Sequence, residues 1–311
     1  MSPDDLNKFL SYFFTGLSYF VAIPFFYIVI FNSPPCIRIY RNTILNLAIW
    51  YIITMGCYAI LLQPIYATLP NKSCARFAGL VSSFGKEFHI GAVFLTVISM
   101  ENVPVAIIIC FFYRYDQLRS INNVSFLKTY KGVIICVAVH IKMSIIASFI
   151  AYAHVAIGEI FEHEGTLFFC FNNDNYHMMK LLSLAVGIHL IVGSIVAIAL
   201  AVLTILRLHS HTAHMTRRTY HLQQRLTMNL VVLLFLPIVF DVIPICILCY
   251  MVYIKSDSLY FWVSFAGHAP FWDVILSYFA TLYFVTPYRK AVRMFWRRNV
   301  VMQAIPDRML L

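Results

Sequence analysis

The run LLSLAVGIHLIVGSIVAIALAVLTIL, residues Leu181–Leu206, is long and apolar enough to cross a membrane as one helix. It contains no Asp, Glu, Lys or Arg, and it exceeds the roughly 20 residues that such a helix needs. The whole chain shares this character, because 61% of its 311 residues are hydrophobic and only 12% are charged. Soluble domains carry about 25% charged residues. The composition therefore excludes a soluble domain and predicts a membrane protein.

Seven such runs predict an all-α, seven-transmembrane helix bundle that forms a single domain over residues 1–311. The predicted spans are 9–31, 42–66, 88–113, 132–158, 181–206, 226–254 and 260–285. Prolines fall inside several spans, and a bundle accommodates them through kinks and neighbouring helices. Pro237 and Pro244 flank Asp241 in the sixth span, which predicts a bending element there.

The Lys and Arg residues predict the orientation of the bundle. Sixteen of the 23 follow spans one, three, five and seven, whereas six lie on the opposite side. Because cytoplasmic loops are enriched in Lys and Arg, the N-terminus is predicted outside and the C-terminus inside. The formal charge of +10 then reflects the inner loops, and no nucleic-acid partner is expected. On the outer side, the triplet Asn71-Lys72-Ser73 makes Asn71 a candidate glycosylation site.

Four ionisable residues stand near the centres of predicted spans: Glu101, Lys142, Asp241 and Asp273. A charged side chain at mid-bilayer costs at least ~2.5–3.5 kcal/mol on insertion scales, so such groups usually face the interior and pair. Glu101 and Lys142 are the predicted pair. Asp241 and Asp273 are predicted at one depth, where like charges oppose joint ionisation. These groups either form a polar network that binds a cation or ligand, or they only fix helix packing.

Two histidines and an aromatic cluster extend the candidate ligand site. His189 and His268 lie at similar predicted depths, and Trp272 is one of several aromatic residues around His268. Inward-facing aromatic residues would line a mostly apolar small-molecule cavity. The alternatives are an interfacial aromatic belt and histidines that are hydrogen-bonded inside the bundle. The full predicted ligand set is His189, Asp241, His268, Trp272 and Asp273.

Motifs for catalysis, metal binding and cofactors are lacking in the sequence. The histidines of the third inner loop have no accompanying carboxylate or Cys, and no H-E-x-x-H occurs, so no metal site is predicted. Neither G-x-S-x-G nor a P-loop is found, which argues against an enzyme and against catalytic residues. The seventh span has no Lys for a retinal Schiff base, and no cofactor is predicted.

Two cysteines, Cys74 and Cys170, lie on the predicted outer side. That compartment is oxidising, so they either form a disulfide between the first and second outer loops or remain two free thiols.

Basic residues mark the predicted inner side. Arg114, in Tyr113-Arg114-Tyr115-Asp116, either contacts a partner protein or extends to the membrane surface from the end of span three. Residues 288–299 mix apolar residues with Arg, which is typical of a surface helix, although a frayed basic tail also fits. The candidate partner-binding residues are Arg114, Arg217, Arg218, Arg225 and Arg289.

Local strings close spans two, three and seven: Leu62-Gln63-Pro64-Ile65, Cys110-Phe111-Phe112-Tyr113-Arg114 and Pro287-Tyr288-Arg289-Lys290. With Glu101 and His268 upstream, they resemble strings of the nematode seven-helix chemoreceptors of the Str superfamily, especially serpentine receptor classes H and I. The resemblance covers essentially the whole chain. It implies odorant sensing at the plasma or ciliary membrane of a sensory neuron and coupling to a heterotrimeric G protein.

The chain also departs from rhodopsin-like receptors at two motifs. Tyr113 precedes Arg114 where those receptors have the acid of Asp-Arg-Tyr. Span seven ends in Thr-Pro-Tyr-Arg and lacks Asn-Pro-x-x-Tyr. The detailed switch mechanics of those receptors are therefore not carried over.

The leading hypothesis is a chemosensory G-protein-coupled receptor in a lipid bilayer, with a small-molecule ligand and a heterotrimeric G protein as partners. The alternative is a seven-span cation or proton transporter or ligand-gated channel that uses Glu101, Asp241 and Asp273. Transporters often contain internal repeats, and none is visible here.

Overall fold

The computed structural model describes residues 3–69, 72–119, 129–163, 166–172, 176–210, 216–254 and 259–294. Every predicted span falls largely on a helix. The helices are α1 (Pro3–Phe31), α2 (Arg38–Met55), α3 (Lys86–Arg119), α4 (Tyr130–Ile157), α5 (Tyr176–Ser210), α6 (Arg217–Pro237), α7 (Ile243–Tyr253), α8 (Leu259–Phe284) and α9 (Thr286–Met294).

Among the described residues, six helical stretches can cross a membrane by length and composition, and α8 makes a seventh when it is counted with α9 as one bent span. Helices α6 and α7 belong to one of these stretches, Thr219–Tyr253. A π-helical turn at Ile238–Val242 separates them at the predicted bending element. Such turns inside α-helices commonly accompany a local irregularity, here the two prolines around Asp241. The axis then turns by 93° between α8 and α9, so α9 runs across α8 rather than extending it.

The second span ends earlier than its predicted boundary at residue 66. After α2 the helix continues as a π-helical segment, Gly56–Leu62, and Gln63 then adopts the left-handed region with φ 43°. Pro64 follows and begins a strand. The residue before a proline is disfavoured in the α conformation, and here Gln63 leaves it for the left-handed region, which ends the helix.

An antiparallel four-stranded sheet, which the sequence analysis missed, lies at one end of the bundle. Its strands are β1 (Pro64–Leu69), β2 (Lys72–Phe77), β3 (Glu159–His163) and β4 (Thr166–Asn172), in the order β1-β2-β4-β3. Cys74 and Cys170 lie opposite each other on β2 and β4, and they form the predicted disulfide with 4.0 Å between their Cα atoms. Asn71, the candidate glycosylation site, lies outside the described residues.

We call this end the sheet end and the opposite end, where α3 finishes, the Arg114 end. The core lies between α1, α2, α3, α6 and α8, with large buried side chains such as Phe25, Tyr40 and Phe271. Half of the most apolar window of α3 is buried inside the protein, against 6% for α4 and 11% for α5. Helices α4 and α5 therefore present most of their surface to the membrane.

Candidate functional site

Arg114 is completely buried, although it is the first cation at the end of the third span. Its Nε donates to Thr227 Oγ1 at 3.2 Å and its Nη2 donates to the Gln223 carbonyl oxygen at 2.6 Å, both on α6. Its Nη1 donates to Gln117 Oε1 at 2.8 Å on its own helix. All three acceptors are uncharged. We call Arg114, Gln223 and Thr227 the Arg114 latch, because they join α3 to α6.

Further polar contacts tie α6 to its other neighbours at this end. Asn229 is fully buried, and its Nδ2 donates to Tyr40 Oη at 2.7 Å and to Thr281 Oγ1 at 3.3 Å. Arg225, one of the predicted partner-binding residues, donates from Nη1 to Thr286 Oγ1 at 2.9 Å. Helix α6 is thus hydrogen-bonded to α2, α3, α8 and α9 through neutral acceptors.

The remaining predicted partner-binding residues lie at the same end. Arg217 is exposed at the start of α6, and Arg289 on α9 lies over the Tyr283 ring at 5.8 Å. The side chain of Arg218 lies outside the described part of the chain. Tyr288 anchors α9 through a 2.8 Å hydrogen bond between its hydroxyl and that of Ser33, two residues after the end of α1. The predicted surface helix at 288–299 overlaps α9 up to Met294, and its last predicted residues are not described. Its position at the membrane surface stays a prediction.

The two acids of spans six and seven meet in the middle of the bundle, as their predicted common depth suggests. The carboxyl groups of Asp241 and Asp273 interact with each other. Ser277 Oγ donates to Asp273 Oδ1 at 3.2 Å, and the Tyr51 hydroxyl lies 3.5 Å from Ser277 Oγ. Asp241 Oδ1 and Asp273 Oδ2 have no hydrogen-bond partner. Repulsion between two neighbouring carboxylates opposes the ionisation of both. A proton shared between them would provide the hydrogen-bond donor that two ionised carboxylates lack.

A small cavity lies near this acid pair, although neither acid is among its lining residues. Tyr51, Ser277 and Tyr278 are among its lining residues, and its volume is about 10 Å³. That volume admits about one water molecule. The arrangement can hold a proton or a water, whereas a larger ligand would require the surrounding helices to move.

The predicted pair of Glu101 and Lys142 is wrong. Glu101 Oε2 lies 3.0 Å from His189 Nε2 on α5, so the acid pairs with a residue that was predicted in the ligand site. Lys142 is exposed on α4. The reason is helical geometry, because His140 faces the interior and a residue two positions later lies about 200° further round the helix.

His268 and Trp272 do not join the acid pair. His268 Nε2 lies 3.3 Å from Ser11 Oγ on α1, and its Nδ1 contacts the Ser264 carbonyl at 2.7 Å. Trp272 is 43% exposed and packs edge-on against Phe14 of α1, with 5.3 Å between the ring centroids. The five predicted ligand residues therefore occupy three separate places: the acid pair, the contact between α3 and α5, and the contact between α1 and α8.

A polar network that was not predicted from the sequence lies between α2, α3 and α4. His140 lies at its centre, with Nδ1 2.6 Å from Asn102 Oδ1 and Nε2 3.2 Å from Asn46 Nδ2. Asn102 Nδ2 donates to Ser144 Oγ at 3.0 Å, and Trp50 stacks on the His140 ring. Polar residues inside apolar spans usually face neighbouring helices, and that signal would have identified these positions.

A family model described as serpentine type 7TM GPCR chemoreceptor Srh matches residues 2–298 of this chain. The chain belongs to this family. The match confirms the expected resemblance to serpentine chemoreceptors and, of the two classes considered, supports class H. The Srh chain is therefore a multi-pass membrane receptor of the G-protein-coupled type and not an enzyme, and the receptor hypothesis is favoured over the transporter or channel.

The fold of the Srh receptor is similar to that of squid rhodopsin in its crystal structure. The TM-score is 0.61 at 11% sequence identity, and the similarity covers 96% of this chain and 88% of the rhodopsin chain. This confirms the predicted seven-helix bundle, while the low identity carries nothing about ligands. A search among curated protein sequences finds no match.

Proposed function

We propose that this Srh receptor detects a small environmental chemical, such as an odorant, at the plasma or ciliary membrane of a sensory neuron and activates a heterotrimeric G protein. In this proposal the Arg114 end faces the cytoplasm and the sheet end faces outside. The excess of Lys and Arg on the predicted inner side supports this orientation. The disulfide between Cys74 and Cys170 supports it too, because disulfides persist in oxidising compartments.

The Arg114 latch is the observation that carries the proposal. It closes α3 against α6 where a cytoplasmic partner would have to insert, and it leaves Arg114 with no exposed surface. The described structure therefore corresponds to a closed, non-signalling state. Activation separates α6 from α3, exposes Arg114 and opens a cleft for the G protein beside Arg225 and α9. Because ligand and G protein favour the same open state, each increases the affinity for the other.

The acid pair connects the ligand to this movement. Asp241 belongs to the π-helical turn between α6 and α7, so a ligand that changes its hydrogen bonds acts on the part of span six where the helix is already irregular. Asp241 Oδ1 and Asp273 Oδ2 have no hydrogen-bond partner. These two acceptors favour a small ligand with a hydrogen-bond donor or a positive charge. His189, held by Glu101, is the second polar group that such a ligand could contact.

The test of the closed latch needs no known ligand. Thr227→Val removes one acceptor of Arg114 with little change in shape, and Arg114 retains two others. A hydrogen bond to a charged group contributes about 1.5–3 kcal/mol, so we expect basal GTP turnover by a G protein, with the purified receptor in nanodiscs, to rise about tenfold or more. Thr204→Val is the matched control, because Thr204 is equally buried but bonds only to Leu200 O of its own helix.

Arg114→Ala tests the coupling role of the same latch. We expect it to lower turnover in a Thr227→Val background while surface expression is maintained, because the open cleft then lacks its central cation. Unchanged turnover in both variants, across a panel of G-protein classes, would contradict the proposed coupling. A rise with Thr204→Val equal to that with Thr227→Val would show that the effect comes from general loosening of the bundle.

A further inference from the structure

Lys142 is a cation on the membrane-facing side of α4. The helix runs from Tyr130 to Ile157, so Lys142 lies about 18 Å from one end and about 22 Å from the other at 1.5 Å per residue. The apolar half-thickness of a bilayer is about 15 Å. Near the centre of a span, a Lys is strongly unfavourable unless a partner or water compensates its charge.

Nothing in the described part of the chain compensates this charge. Glu101 on the adjacent α3 pairs with His189, and the other mid-span acids, Asp241 and Asp273, interact with each other on span six and α8. On α4 itself, the buried positions Ala147 and Ala151 are small and apolar. The compensating group for Lys142 therefore lies outside the described residues.

Helix α4 is exposed over most of its surface, and one line of exposed residues at alternating spacings of three and four passes through Lys142. We call this line of residues the α4 seam: Ile135, Ala138, Lys142, Ile145, Phe149 and Tyr152. Residues spaced in this way lie along one face of a helix, which is the pattern with which a second helix packs. Ala138, one turn from Lys142, would allow a neighbouring backbone to approach closely.

We propose that the α4 seam binds one transmembrane helix of another protein, and that this helix carries an Asp or Glu opposite Lys142. Charge complementarity selects this partner over a second copy of the receptor. Two-fold packing of α4 on α4 would place one Lys142 against the other, which is unfavourable. The mid-span acids described in this chain are engaged within their own bundle, so a copy offers no free carboxylate at this depth.

The test uses the full-length receptor in phosphatidylcholine vesicles with a synthetic single-span probe. The probe is a Leu-Ala helix with one central Glu, and matched probes carry Gln or Leu at that position. Energy transfer between labelled receptor and probe measures association. We expect the Glu probe to associate about five- to thirtyfold more strongly than the Leu probe, in line with polar interactions between membrane helices.

Three receptor variants locate the interaction. Lys142→Met should remove the preference for the Glu probe, and Lys142→Glu should replace it with a preference for a probe carrying Lys. Lys131→Met is the matched control, because Lys131 is exposed on the same helix but lies near its end. Lys142→Met removes a charge from the apolar region, so its insertion is not impaired; identical thermal unfolding of the variants checks this.

Several results would overturn the proposal. Equal association of all three probes with the wild type would show that the ammonium reaches lipid headgroups or water. A Glu preference that survives Lys142→Met would place the interaction elsewhere. Energy transfer between receptor copies that Lys142→Met abolishes, without any preference among the probes, would assign the α4 seam to self-association.

Discussion

At the sheet end, a covalent bond between Cys74 and Cys170 and a continuous four-stranded sheet join the segments that follow spans two and four. At the Arg114 end, by contrast, α6 is held to α3 by hydrogen bonds from Arg114 to the neutral acceptors Gln223 and Thr227. The first arrangement cannot separate without breaking a disulfide. The hydrogen bonds of the Arg114 latch, by contrast, can be replaced by hydrogen bonds to other groups, including groups of another protein.

This difference shows where a conformational change can occur. A switch requires an element with two arrangements of similar free energy. In the proposed activation, the side-chain hydrogen bonds around Arg114 are that element. In the proposed activation, the sheet end is the fixed part relative to which α6 would move.

Removing the disulfide should have the greatest effect on stability, because the sheet end then loses its covalent link. Loss of a native disulfide costs about 2–5 kcal/mol. We expect Cys74→Ala to lower the unfolding temperature of the purified receptor strongly and to reduce the amount at the cell surface. Cys246→Ala is the control, because Cys246 is a free and only partly buried cysteine. An unfolding temperature equal to that of the wild type would show that the disulfide does not stabilise the sheet end.

Asn229→Leu should weaken the Arg114 end without touching Arg114 itself. The substitution leaves the Tyr40 hydroxyl without its donor in the core, and a buried unsatisfied polar group costs about 1–3 kcal/mol. We expect lower stability and higher basal G-protein turnover. Tyr40→Phe should cause a smaller loss of stability in the Asn229→Leu background than in the wild type, because both substitutions remove the same hydrogen bond. Fully additive effects in thermal unfolding would contradict a direct coupling of the two residues.

Glu101→Leu should separate stability from signalling, because its partner His189 lies away from the Arg114 latch. Interhelical polar contacts in membranes contribute about 1 kcal/mol, so the expected loss of stability is modest. Basal turnover should stay at the wild-type value. His189→Leu, combined with Glu101→Leu in a double-mutant cycle, measures their coupling. An increase in basal turnover as large as that of Thr227→Val would mean that the two regions are not distinct.

The smallest effect is expected for Arg225→Gln. Arg225 is exposed and donates one hydrogen bond to Thr286 at the start of α9. Exposed substitutions usually change stability by less than about 0.5 kcal/mol. We expect unchanged thermal unfolding and a reduced maximal turnover, because the residue borders the proposed G-protein cleft. A marked loss of stability would instead assign it to the closed latch.

The spans were predictable because a helix that crosses the bilayer needs a long apolar run, and such runs are visible in the sequence. The seven runs, the common depth of Asp241 and Asp273, and the proximity of Cys74 and Cys170 all follow from that requirement and from counting spans. The sheet was not predicted. Its signal was present nonetheless. Thr166–Asn172 is rich in apolar and aromatic residues, and only Glu164 and Gly165 separate it from Glu159–His163, which is a hairpin spacing.

Contacts between helices were beyond a single sequence, because the rotation of each helix about its axis is set by packing. Glu101 could pair with Lys142 or with His189 by depth alone, and only the faces of α4 and α5 separate the two outcomes. The same limit applies to Arg114. Its position at a helix end fits both a surface cation and a buried one, and the presence of Gln223 and Thr227 opposite it decides the matter.

Opening of the Arg114 end can be measured with spin labels at Arg119 on α3 and His221 on α6, both of which are exposed. The account predicts a single short distance in the wild type. It predicts an added longer distance in Thr227→Val, which becomes dominant when nucleotide-free G protein binds. A distance distribution that stays the same in all three samples, while turnover rises, would contradict the claim that separation of α6 from α3 is the signal.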